Sequence, residues 1–355
     1  MNNRIKALRS SFESENLDGY LISNGTDIRY FTGFMGGSRL LIPKEGADTL
    51  YVRMVNYEAA KEYAKDVELA PVSSEEEEDR KITEQIKQLK LERLGFDSMD
   101  ASVYLRLNEV LEGTELKTMS KLVWSLRKVK DEEELGFMKK AANLTSLGMK
   151  RAHEIIKSGL SERQLASEIE YAMRREGSDG VAFDTIIASG ARSAFPHGGC
   201  DDRKIAEGDM VVIDIGARYR DYCADLTRTL IISQPSPKQA DLYNTVLSAQ
   251  ELALKQIKAA VETSRVDAAA RDFISRKGYG QYFVHGLGHG VGLEIHEPPT
   301  LNPRSEEILE AGNVVTVEPG IYIPGFGGVR MEDTVLVRKD RAQKLTEAPY
   351  TMQAT

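Results

Sequence analysis

Cysteine is nearly missing from this chain: Cys200 and Cys223 are the only two in 355 residues. They are too few for a disulfide framework and lack the paired spacing of a structural zinc cage, so a reducing cytoplasmic setting with two free, unreactive thiols is expected. No stretch approaches the roughly 18 apolar residues that a membrane span requires, and Met1 to Ser10 has scattered Lys and Arg but no apolar h-region. Neither a membrane protein nor an exported one is expected. An excess of positive charge is absent too: 55 Asp and Glu stand against 47 Lys and Arg, with no basic stripe interleaved with aromatics. Nucleic acid is therefore excluded as the expected partner. There are no short tandem repeats or low-complexity tracts.

What is present is enough apolar material, 41% of the residues, for two domains with separate cores. In the first third, short apolar runs at 19 to 24, 38 to 43 and 49 to 55 predict strands. Helical patterns at roughly 3 to 16, 56 to 65, 80 to 91 and 101 to 112 complete an α/β domain. The acidic run Glu75 to Asp79 reads as a solvated loop or helix start. Near residue 122 the texture changes, and a long amphipathic helix opened by Asp131 and three Glu follows, which places domains at 1–121 and 122–355. Ser161 and Gln164 form a capping-box pattern at the start of a helix running to about 175. Beyond Gly177 strands and glycine turns dominate, with one further helical segment near 237 to 260.

The chemistry sits in that second part. Histidine is scarce, with five in the chain, and four of them, His197, His285, His289 and His296, lie in glycine- and proline-rich segments; His153 sits in a helical pattern and reads as structural. Acids interrupt apolar strands: Asp214 in VVIDIG and Asp225 in YCADLTRTL form one predicted hairpin, and Glu318 in VVTVEPGIYIP and Glu332 in GVRMEDTVLV form another. Buried carboxylates need a compensating cation or hydrogen-bond network, and four together would repel one another. Two divalent ions meet that need. Oxygen donors with one imidazole suit Mn²⁺, Co²⁺, Fe²⁺ or Zn²⁺, and a pair about 3.5 to 4 Å apart can activate water and stabilise an oxyanion. His285 and His289 are spaced as on a zincin helix, but no Glu follows His285 and glycines at 286, 288, 290 and 292 argue against helix. The glycines do not make a dinucleotide fingerprint either; they suit close approach of backbone and substrate.

The segments FDTIIASGARSAFPHG (183–198), IDIGARYRDYCADLTRT (213–229), HGLGHGVGLEIHEPP (285–299), TVEPGIYIPGFGGVRMEDTVLV (316–337) and LTEAP (345–349), in that order, resemble the M24 metallopeptidase family. YFTGFMGG (30–37) resembles the creatinase-like domain that precedes the catalytic domain in prolidases and aminopeptidases P. The resemblance implies an α/β N-terminal creatinase-like domain followed by an α+β catalytic domain of the pita-bread fold. It implies Asp214, Asp225, His289, Glu318 and Glu332 as ligands of two divalent ions, Mn²⁺ or Co²⁺ before Zn²⁺ or Fe²⁺. Asp225 and Glu332 would bridge, and Glu318 would double as general base. His197 and His296 match proton-shuttling histidines, and His285 and Arg330 match residues lining the site, a structural role for Arg330 being equally open.

The implied activity is hydrolysis of the bond before proline in small peptides by a homodimeric enzyme, as a Xaa-Pro dipeptidase or, alternatively, as an aminopeptidase P accepting longer peptides. A non-catalytic pita-bread protein that only binds peptide is the third alternative. Where many relatives carry a basic residue after the HE-x-P segment, this chain has Thr300, with Arg304 as a candidate substitute.

Overall fold

A computed structural model describes residues 2–354 and divides the chain into two compact units, one ending at Arg127 and one beginning at Lys128. The first unit is built on a six-stranded sheet of β1 (Gly19–Ile22), β2 (Arg39–Pro43), β3 (Thr49–Arg53), β4 (Glu68–Val72), β5 (Arg93–Phe96) and β6 (Glu115–Thr118), ordered β4-β3-β2-β1-β5-β6. β2 pairs antiparallel with β1 and β3, while β1 with β5, β5 with β6 and β3 with β4 are parallel. Five strands therefore share one direction. The helices are α1 (Asn2–Ser10), α2 (Gly25–Thr32), α3 (Met54–Tyr63), α4 (Glu75–Gln88), α5 (Ala101–Val110) and α6 (Ser120–Arg127). Leu21, Leu41, Tyr51, Ile82, Ile86, Leu94 and Leu107 belong to one core cluster between sheet and helices.

Several sequence expectations shift here. The helix expected to reach residue 16 ends at Ser10, and the chain turns until Asn16, whose φ of 55° breaks any helix. The acidic run is the first turn of α4, behind the N-cap Ser74, where four Glu face the positive end of the helix dipole. Helix α2, started by the Asn24 side chain accepting from Thr26 N and Asp27 N, was not legible, nor were β4, β5 and β6.

The second unit contains α7 (Glu132–Ile155), α8 (Glu162–Arg175), α9 (Pro237–Leu254) and α10 (Thr263–Arg276). Capping boxes at Asp131/Glu134 and Ser161/Gln164 start α7 and α8 as the sequence predicts. The strands are β7 (Gly180–Val181), β8 (Ile186–Ser189), β9 (Met210–Ile215), β10 (Ala217–Tyr219), β11 (Tyr222–Cys223), β12 (Leu226–Ile231), β13 (Gly288–Gly290), β14 (Glu297–Leu301), β15 (Val314–Val317), β16 (Gly320–Ile323), β17 (Gly327–Arg330), β18 (Asp333–Val337) and β19 (Ala342–Lys344). They form sheets ordered β11-β10-β7, β12-β9-β8, β14-β13-β15-β18-β19 and β16-β17. One core cluster joins α9 and α10 to the last two sheets, and another joins α7 and α8 to β9 and β12.

The second predicted hairpin is more elaborate than two strands. Its arms start in one sheet, with Val317 opposite Asp333, and continue in another, with Gly320 opposite Arg330. Glu318 and Glu332 therefore lie in facing interruptions of the ladder, not inside strands as the sequence suggests. Pro319, which cannot donate to a ladder, sits at the break. Asp225 likewise occupies the gap between β11 and β12, whereas Asp214 is inside β9, opposite Thr227. No helix among the described residues is long and apolar enough to cross a membrane. Cys200 and Cys223 are both free, and burial pushes their thiols up to about 11 and about 12.

Candidate metal centre

The interruptions bring the acids together. Asp225 is bolted to β18 through Thr334, whose hydroxyl accepts from Asp225 N at 3.0 Å and donates to Asp225 O at 2.7 Å. Glu332 N donates to Thr227 O at 3.1 Å, and Glu318 N to Leu287 O at 2.8 Å. His289 arrives on β13, which runs between β14 and β15. There a methyl on Gly288 would strike Thr316 O and one on Gly290 would strike Pro298 O, which accounts for the glycines flanking the histidine.

Ligand atoms of Asp225, His289 and Glu332 lie within 4.8 Å of one another. His289 Nε2 is 3.2 Å from Glu318 Oε1 and 3.7 Å from Asp225 Oδ2. Its Nδ1 is 3.0 Å from Gly290 O, a contact that holds a proton on Nδ1 and aims Nε2 at the acids. Arg330 NH2 donates to Asp214 Oδ2 at 2.5 Å, and Thr227 Oγ1 donates to Glu332 Oε2 at 2.6 Å. The remaining oxygens, Asp214 Oδ1, Asp225 Oδ1 and Glu332 Oε1, are buried with no hydrogen-bond partner. Three such oxygens beside one oriented imidazole fit hard divalent cations, and they fit little else in an interior where orphaned carboxylate oxygens are costly.

The electrostatics agree. Burial, then repulsion from Glu332, Asp214 and Glu318, drives Asp225 well above the carboxylate range. Burial with repulsion from Glu318 and Asp214 does the same to Glu332. Burial also raises Glu318, but the hydrogen bond and charge of His289 outweigh it and hold this acid at about 2. A proton and a cation would compete for the same imidazole nitrogen.

A cavity of about 520 Å³ opens onto these groups and is also lined by His197, His285, His296, Arg330, Thr300 and Asn302. His197 and His296 are exposed at it, and the His296 ring centre lies 4.4 Å from that of His289. Arg330 NH1 donates to Tyr322 OH at 2.9 Å, and that hydroxyl is 3.0 Å from His285 Nε2. Every site residue expected from sequence thus lies at this one cavity.

Sequence reasoning missed the groups behind them. On α10, Asp267 and Arg271 pair at 2.7 Å; Asp267 Oδ1 accepts from Leu287 N at 3.0 Å, and Arg271 donates to Phe283 O and His285 O at 3.1 and 2.7 Å. This clamp fixes the backbone between His285 and His289. Buried Arg228 donates to Glu332 O at 2.6 Å and pairs with Asp333 at 3.1 Å. Lys130 donates to Glu297, next to His296, at 2.6 Å. The first of these pairs reads in sequence as an ordinary i, i+4 surface bridge, and the other two join residues over a hundred positions apart.

Residues 136–339 match the model of metallopeptidase family M24, and residues 4–129 match the creatinase/prolidase N-terminal domain. The chain is 39% identical over 351 residues to a Xaa-Pro dipeptidase of Pyrococcus horikoshii, covering 98% of this chain and 97% of that one. A solved Xaa-Pro dipeptidase from Bacillus anthracis superposes with a TM-score of 0.94 at 38% identity, covering 99% of each chain. A solved X-Pro aminopeptidase from Thermotoga maritima gives 0.91 at 35% identity, again over 99% of each.

Proposed function

The chain belongs to metallopeptidase family M24, and from that premise we propose that it is a Xaa-Pro dipeptidase that hydrolyses the bond before proline with a pair of divalent metal ions. It is a hydrolase of small peptides, and the family implies divalent metal. The observation that carries the site assignment is that Asp225 and Glu332, grouped with His289, and Asp214, at the same cavity, each keep one buried oxygen without a hydrogen bond.

Asp214, Asp225, His289, Glu318 and Glu332 would hold the ions, with Mn²⁺ or Co²⁺ preferred for this donor set. When bound, such ions supply Lewis acidity toward the scissile carbonyl and acidify water. The protein does the rest. Glu318, at the cavity beside His289, takes the proton of the attacking water. His197 and His296, exposed at the cavity, contact the carbonyl and pass protons to the leaving proline nitrogen. Arg330 holds one oxygen of Asp214 and leaves the other for a cation; through Tyr322 it also fixes His285. A cytoplasmic setting rests on the two free thiols, and a homodimer on the family resemblance.

One observation favours the alternative of an X-Pro aminopeptidase. The wall carries Thr300 and Asn302, and the only Lys or Arg among its lining residues, Arg330, is committed to Asp214; Arg304 is not in the wall. Among the described residues, no Lys or Arg of that wall is free to receive the carboxylate of a dipeptide.

Reconstitution with Mn²⁺, Co²⁺ and Zn²⁺ in turn, assayed on Gly-Pro, Ala-Pro, Met-Pro and an Ala-Pro tripeptide, separates these readings. Dipeptides cleaved at least as fast as the tripeptide, with turnover abolished by chelation and restored by metal, is the expected result. Tripeptide preference would shift the assignment to an aminopeptidase, and a chain that rebinds no divalent metal would leave only a peptide-binding role. Replacing Arg271 by Met is expected to lower turnover about 10- to 100-fold, the usual range for groups that orient metal ligands. Circular dichroism should register no loss of helix in that variant, and kinetics within twofold of the parent would rule the clamp out as a determinant of activity.

A further inference from the structure

His197 reaches the catalytic cavity from a segment with little regular structure of its own. After β8 ends at Ser189 the chain makes a 3₁₀ turn at Gly190–Ala194, and β9 does not begin until Met210. Gly190 and Gly199, with φ of 57° and 60°, bracket the histidine, so the local sequence does little to fix an exposed imidazole. A group that passes protons must stand within hydrogen-bond reach of the reacting atoms. The ties that hold it come from elsewhere in the unit.

A buried carboxylate supplies them. Glu162, the first residue of α8 and 0% exposed, accepts at both ends of the segment: Oε1 takes Ser189 N at 2.8 Å and Ser189 Oγ at 2.6 Å, and Oε2 takes Asp201 N at 2.8 Å. Arg192, within the segment, sets its Nε 3.3 Å from the same Oε2 and donates from NH2 to Gly198 O at 2.7 Å. One guanidinium thus joins Glu162 to the residue that follows His197. The residue before it is held by Arg330, whose NH1 donates to Pro196 O at 3.3 Å, and Gly328 N donates to Ser193 Oγ at 2.8 Å. The carbonyls on either side of His197 are therefore each held by an arginine. Arg330 also serves Asp214, whereas neither Arg192 nor Glu162 lines the cavity.

From this arrangement we infer that Arg192, seated on Glu162, is a positioning residue for His197: it sets where the imidazole stands at the scissile bond without touching substrate. The inference rests on the role given to His197 in the hydrolysis proposed above.

A double-mutant cycle on the full chain tests it, with Arg192→Met, His197→Ala and the two combined. Removing the guanidinium leaves Glu162 its donors from Ser189 and Asp201, so the fold is expected to persist. With Ala-Pro and Mn²⁺, Arg192→Met should lower kcat about tenfold or more while KM and Mn²⁺ affinity, the latter by dye competition, stay within about threefold of the parent. In the His197→Ala background the same substitution should change kcat by less than about twofold, because a group that acts through an imidazole has nothing to act on once the imidazole is gone. Hydrogen exchange of residues 195–199, read by mass spectrometry, should be faster in Arg192→Met than in the parent, with α8 unchanged. The inference is overturned if Arg192→Met keeps the parental kcat, if its loss is the same with and without His197, if Mn²⁺ affinity falls in parallel, or if the segment exchanges as in the parent. A parent that does not hydrolyse Ala-Pro would refute the functional reading instead, and the exchange comparison would then decide alone whether Arg192 holds this segment.

Discussion

Asp225→Asn should lower hydrolysis of Ala-Pro by on the order of 10³-fold or more, a loss of the size seen when a single preorganised electrostatic group is removed from an active site, yet leave the protein as heat-stable in chelator as the parent. The two halves of this expectation have one cause. Asp225 faces Glu332, Asp214 and Glu318 from a buried position, so its charge is repelled there and useful only toward a cation. The amide removes the repulsion and, with it, the ligand. The backbone bonds through Thr334 that place the residue do not involve the substituted atom. Scanning calorimetry in EDTA beside initial rates in Mn²⁺ and Co²⁺ measures both halves. Full activity in dialysed variant, or a large loss of Tm with chelator present, would contradict the arrangement of charges described for this centre.

Arg330→Met should behave in the opposite way, losing both activity and stability. The guanidinium is buried and donates to Asp214 at 2.5 Å, Tyr322 at 2.9 Å, Thr227 at 3.2 Å and Pro196 O at 3.3 Å. Removing it strips the one cationic partner from an acid already crowded by others. Breaking a buried pair from one side costs about 3–5 kcal/mol, which corresponds to roughly 10 °C of Tm for a unit of this size. Activity should fall about 100-fold, because Asp214 and His285 lose the groups that orient them. Metal affinity, followed by dye competition, should weaken in parallel. A variant with parental Tm and metal affinity would mean that Arg330 neither supports Asp214 nor shapes the site.

The acids were legible because a carboxylate inside an apolar run needs an explanation wherever it sits. Asp214 conforms to that picture within β9, and the same logic found Glu318 and Glu332 although they occupy breaks between strands. Hydrophobic pattern reports burial, and burial continues across the sheet change, so the pattern could not reveal the interruption itself. The glycine-rich segment pointed to an imidazole donor, but His289 among its histidines was singled out only by the family resemblance; the packing of β13 between β14 and β15 accounts for the glycines beside it. The supports were not. Asp267 and Arg271 give the signature of any solvated helix, and only the fold shows that both reach the backbone around His285 and Leu287. In the first unit, β4 escaped notice because ELAPV contains a proline and little apolar alternation, and α2 because it is only eight residues long.

The hairpin that changes sheets has a practical corollary. Four paired rungs, from Gly320–Arg330 to Ile323–Gly327, separate the facing breaks that hold Glu318 and Glu332 from an exposed tip at Pro324 and Gly325. Register is set by those rungs and by the Val317–Asp333 rung on the far side, leaving the tip free of that task. Foreign loops can therefore be grafted at 324–325, or tags displayed there, with the ligand spacing insulated from the insertion.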